Sequence, residues 1–89
     1  KKYEIGVALD NKQYISQSLS GIGSAYQRKS DYGNAIKNFE KAMVVYEELD
    51  DKSGIGSDLQ DLGGVYTYKR DNEKALEYQK KAVAIFEEL

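Results

Sequence analysis

Residues 19–49 read LSGIGSAYQRKSDYGNAIKNFEKAMVVYEEL, and most of that pattern returns forty positions later. Leu19, Gly23, Tyr26, Lys29, Asp31, Ala35, Lys41, Ala42, Glu47, Glu48 and Leu49 reappear as Leu59, Gly63, Tyr66, Lys69, Asp71, Ala75, Lys81, Ala82, Glu87, Glu88 and Leu89. Self-similarity at a fixed period of roughly 20 to 50 residues marks a repeat architecture, in which each unit buries its apolar face on its neighbour.

Working outward towards the N-terminus, Lys1–Leu9 aligns with Lys41–Leu49 at the same offset, with Ile5 and Leu9 opposite Val45 and Leu49. Residues 1–10 are therefore expected to be the end of a preceding unit's helix. Asn11 stands where Asp51 stands later. Both side chains accept from exposed backbone N–H groups at a helix start, so a new helix is predicted from about Lys12.

Within the first unit Ile15, Leu19, Ile22 and Tyr26 recur at spacings of four, three and four, which paints one helical stripe; Ile55, Leu59, Leu62 and Tyr66 repeat it. The opposite face carries Gln17, Ser20, Ser24, Gln27 and Arg28, then Ser57, Gln60, Gly64, Thr67 and Tyr68. Lys29-Ser30-Asp31 and Lys69-Arg70-Asp71 read as tight turns, with Asp31 and Asp71 capping a second helix. That helix carries Ala35, Ile36, Phe39, Ala42, Met43, Tyr46 and Leu49, matched by Ala75, Leu76, Ala82, Val83, Phe86 and Leu89. Each unit is a helical hairpin, and helices are predicted over residues 12–29, 31–50, 52–69 and 71–89. The chain reads as one domain, 1–89, with hairpins at 11–50 and 51–89.

Leu19, Ile22, Gly23, Tyr26, Ala35, Phe39 and Ala42, with Leu59, Leu62, Gly63, Tyr66, Ala75 and Ala82, resemble the tetratricopeptide repeat in its longer form of about forty residues per unit. Gly23 and Ala35 are small where paired helices approach closely, and Tyr26 and Phe39 fill the space between hairpins. The pattern departs at Gln79, which stands for Phe39 with Tyr78 beside it, and at Glu47 and Glu87, which replace a helix-ending proline. Ser30 and Arg70 occupy the turn position where the family prefers glycine. The resemblance implies an all-α, right-handed α-α superhelix that holds a peptide or helix of another protein along a concave groove. Two alternatives stay open beside it: a regulatory or sensor segment of a larger bacterial signalling protein, or a self-assembling structural array.

Composition narrows the chemistry. The chain has no cysteine and no histidine, which excludes disulfides, thiolate metal sites and the usual His-based triads, and no cofactor or metal is expected. A net charge of -2 with interleaved signs gives no basic stripe, so nucleic acid and anionic membrane are not the expected partners. No apolar run approaches the ~18 residues of a membrane span, and the expected compartment is the cytoplasm. The glycine pairs Gly21/Gly23 and Gly54/Gly56 lack the preceding strand and third glycine of a phosphate cradle and read as helix packing. Glu47-Glu48, Glu87-Glu88 and Asp50-Asp51 read as solvated charge and capping rather than acid/base pairs or calcium ligands.

The reading is thus a non-enzymatic protein-binding module. Its groove residues are Gln17, Ser20, Ser24, Gln27, Arg28, Ser57, Gln60, Gly64, Thr67 and Tyr68. Ala82, Phe86 and Leu89 are expected to form a self-association face, giving a homo-oligomer through uncapped ends.

Overall fold

The computed structural model describes the backbone of residues 2–89 and the side chains of residues 11–89. Four helices follow one another: α1 (Lys2–Arg28), α2 (Tyr32–Glu48), α3 (Lys52–Tyr68) and α4 (Asn72–Glu87). α1 pairs with α2 and α3 with α4 as hairpins; α3 also packs along α2 and touches α1. All the described secondary structure is helical, as the periodicity predicts.

One short link is used three times, and hydrogen-bond geometry explains why. After α1, Asp31 N–H donates to the Tyr26 carbonyl at 2.9 Å and Ser30 N–H to that of Gln27 at 2.9 Å. This pair of bonds satisfies carbonyls left free at the helix end, and requires a left-handed residue between them. Ser30, Asp50 and Arg70 take that role with φ of 64°, 52° and 65°. None is glycine, so each turn carries part of the ~1–2 kcal/mol cost of a left-handed side chain, outweighed by the closed hairpin. The next residue starts the following helix: Asp31, Asp51 and Asp71 accept from the backbone N–H of Asn34, Gly54 and Lys74 at 3.4, 3.0 and 3.2 Å.

The start predicted at Asn11 is not observed, because α1 passes through it unbroken. Asp10-Asn11 offers the same side-chain types as Asp50-Asp51, but nothing in that stretch forbids helix, and each added residue gains a backbone bond. At Asp50-Asp51 the turn is set instead by α3 folding back on α2. The stripe positions Ile5 and Leu9 lie outside the residues whose side chains are described.

The core joins the two hairpins. Ala35 and Phe39 of α2 and Leu62 and Val65 of α3 are fully buried together, with Tyr26, Tyr32, Ile36, Met43 and Tyr78 packed around them. Glycines set the helix spacing: a Cβ on Gly23 would lie 2.9 Å from the Phe39 ring, one on Gly56 2.8 Å from the Phe86 ring, and one on Gly54 would run into the Tyr46 ring. The glycine pairs are thus packing sites, except Gly21, which faces open space. In the second unit Gln79 lies over Gly63, and Tyr78 stacks on Tyr66 with centroids 5.4 Å apart, which supplies the aromatic bulk that Phe39 gives the first. Lys12–Glu48 and Lys52–Glu88, each at 3.9 Å, sit at equivalent positions of the two units and link the middle of α1 to the end of α2 and the start of α3 to the residue after α4. Such exposed pairs contribute at most about 1 kcal/mol.

The predicted apolar stripes are only half covered. Ile15 and Ile22 are 46% and 45% exposed, whereas their counterparts Ile55 and Leu62 are half-buried and fully buried. Leu76 and Val83 are 52% and 57% exposed, whereas Ile36 and Met43 pack on the core. Periodicity marks a face as apolar; it does not say which copy of that face has a helix over it.

Candidate functional site

Five of the expected groove residues meet where α1 ends, α2 begins and α3 ends. Ser24, Gln27, Arg28 and Tyr68, with Ser30 and Tyr32, line an open cavity of about 490 Å³. Gly64 adjoins it: a Cβ there would sit 3.6 Å from Gln27 Nε2, in ordinary van der Waals contact with the amide. Tyr68 is exposed on one face and stacks on Tyr32 on the other, the rings 6.1 Å apart and 6° from parallel. That stack, worth about 0.5–1.5 kcal/mol, holds the phenol at a fixed angle across the cavity.

Every side chain lining the cavity can donate a hydrogen bond: a guanidinium, an amide, two serine hydroxyls and two phenols. Arg28 has no carboxylate within ion-pair distance among the described residues, and sits in the last turn of α1, where the backbone carbonyls favour a cation. The wall is suited to the backbone carbonyls and acceptor side chains of a bound segment.

The other expected groove residues are not gathered there. Gln17, Ser57 and Gln60 are exposed further along α1 and α3. The Thr67 hydroxyl donates to the Gly63 carbonyl at 2.9 Å, within its own helix. Ser20 Oγ donates to Asp58 Oδ1 at 2.8 Å and so ties α1 to α3. Two lining residues were missed by sequence reading. Ser30 looked like a turn residue only, and Tyr32, just after the cap, belongs to no helical stripe; the one available signal was an aromatic where the second unit has Asn72.

The three residues expected at a self-association face are not exposed together. Ala82 is buried, and Phe86 is half-buried against Gly56, so both serve their own hairpin; only Leu89 is open. The exposed apolar side chains of α4 are Leu76 and Val83, each one position on from a buried alanine, Ala75 and Ala82. Leu76 and Val83, with Gln79, Lys80, Ala84 and Glu87, line a shallow depression of about 330 Å³.

Among the described residues no cluster of carboxylates could hold a metal, and no helix is long and apolar enough to cross a membrane. A family model described as tetratricopeptide repeat matches residues 14–88. No curated protein matches the chain.

Proposed function

The chain belongs to the tetratricopeptide repeat family, whose members generally act as protein-protein interaction modules, and we propose that it binds an extended segment of a partner protein along α1 and α3, anchored in the Arg28–Tyr68 cavity. The convergence of unpaired donors beside an exposed, stacked phenol carries this reading. Aromatic and arginine side chains dominate binding energy where they are held rigidly, and a fixed ring loses little entropy on contact.

A displayed peptide library selected on the chain supplies the ligands for the test. Arg28→Ala with Tyr68→Ala should weaken the selected peptides at least about tenfold, some 1.4 kcal/mol or more, with helicity unchanged. Peptides that bind the double variant as well as the wild type, yet are lost on substitution near Glu47, overturn the groove.

A second reading, self-association, is favoured by the two uncovered apolar faces. Within the chain the Ile36–Met43 face of α2 is covered by α3; forty residues on, the Leu76–Val83 face of α4 is open, and so is the Ile15–Ile22 face of α1. The α4 face of one copy therefore matches the α1 face of another as α2 matches α3, which is a head-to-tail contact. Sedimentation equilibrium should show mass rising with concentration, and Val83→Glu, at an exposed position, should return a folded monomer. A wild-type monomer at all concentrations excludes this reading.

A further inference from the structure

Asp58 lies outside the cavity and contributes nothing to the binding wall, yet among the described residues it is the one buried carboxylate. It is 1% exposed, in α3, at the position that Ser18 holds in the first unit. Its Oδ1 accepts from Ser20 Oγ across the α1–α3 seam, and its Oδ2, also buried, has no partner. A carboxylate offered one hydroxyl in a buried place lacks the several donors that an ionised carboxylate needs.

The surroundings supply no counter-charge. Among the described residues of α1 only the Ser20 hydroxyl reaches it; the buried hydroxyl of Ser16 donates to the Gln13 carbonyl of its own helix at 2.9 Å. Lys12 of α1 is paired with Glu48 of α2, and Lys52 of α3 with Glu88 beyond α4. Among the described residues no lysine or arginine from α1, α2 or α4 comes within ion-pair distance of Asp58. Among the described residues the one charge acting on it is the half-buried Asp61, a turn further along α3, which repels a second negative charge.

We propose that Asp58 is a proton-operated latch between the two hairpins: neutral, it lies buried against Ser20 and holds α1 and α3 together; ionised, it draws water to Oδ2 and parts the seam. The same two helices carry Gln27, Gly64 and Tyr68, so the width of the seam sets the width of the groove.

Burial, opposed by the Ser20 hydrogen bond and assisted by Asp61, pushes the Asp58 carboxyl up from 3.8 to about 7. Burial also raises that of Asp61. A group that holds its proton more tightly when folded gives the folded state more bound protons than the unfolded one between those two values. The stability that Asp58 contributes is therefore fully present below about pH 4, is lost as pH rises towards about 7, and changes no further above it.

The test uses the whole chain. Because it contains no cysteine, spin labels at Gln17→Cys and Ser57→Cys, equivalent exposed positions on α1 and α3, report the seam without interference. The carbon resonance of the Asp58 carboxyl should titrate with a midpoint near neutrality, the label distance should lengthen from pH 5 to pH 8, and the melting temperature should fall over the same range. Asp58→Asn, which keeps the shape and the bond from Ser20, should fix the distance at its low-pH value and remove most of the fall. A midpoint in the ordinary carboxylate range, a distance unchanged by pH, or an asparagine variant with the wild-type pH profile overturns the latch.

Discussion

Phe39→Ala will lose about 3–5 kcal/mol of stability, most of what a chain of this size has. Phe39 is fully buried in the cluster with Ala35, Leu62 and Val65, and its ring lies against the bare backbone of Gly23. Truncation removes the transfer energy of the ring and leaves a cavity that two rigid helices cannot close. The loss falls at the joint between hairpins, so they should come apart together in one transition. Leu76→Ala, at a half-exposed position of similar apolarity, should change stability by less than about 0.5 kcal/mol. Urea denaturation followed by circular dichroism compares the two, and a Phe39→Ala loss under about 1 kcal/mol would place the core elsewhere.

Gly54→Ala and Gly21→Ala should move stability in opposite directions although both are glycine-to-alanine changes inside helices. The intrinsic gain is about 1 kcal/mol in each case, from lower backbone entropy in the unfolded chain. At Gly21 a Cβ meets open space, so the gain is realised. At Gly54 the same methyl runs into the ring of Tyr46, which is itself buried between α2 and α3. Overpacking of this kind costs about 1–3 kcal/mol, and the ring cannot swing aside without pushing α3 off α2. A net loss of about 1–2 kcal/mol is expected at Gly54, and thermal melts of the two variants decide the matter. Stabilisation by both changes would mean that α2 and α3 lie further apart.

Much of the fold is legible in the sequence because repetition gives each local signal twice. The forty-residue offset, the four-three-four spacing of apolar positions and the Asp31, Asp51 and Asp71 caps place three helix starts and all four helix ends to within about two residues. These are local properties: a carboxylate three residues before a free N–H, or a left-handed residue after the last turn, acts whatever surrounds it. Gly23, Ala35 and Phe39 are likewise recognisable from size alone, because helix contact demands a small residue opposite a large one.

Tertiary structure decided the rest. Asn11 has the side chain of a cap yet lies within a helix, because a cap becomes a turn only where a second helix is there to pack against. Ile15 and Ile22 share a period with Ile55 and Leu62 but not their burial, and Ala82 and Phe86 turn inward while Leu76 and Val83 stay open. Ser30 and Tyr32 join Arg28 and Tyr68 only because three helix ends converge. Asp58 reads as one more surface acid until α1 closes over it and leaves one oxygen dry. Periodicity assigns residues to faces along one helix; burial, unpaired polar groups and shared cavities depend on which faces of different helices are brought together.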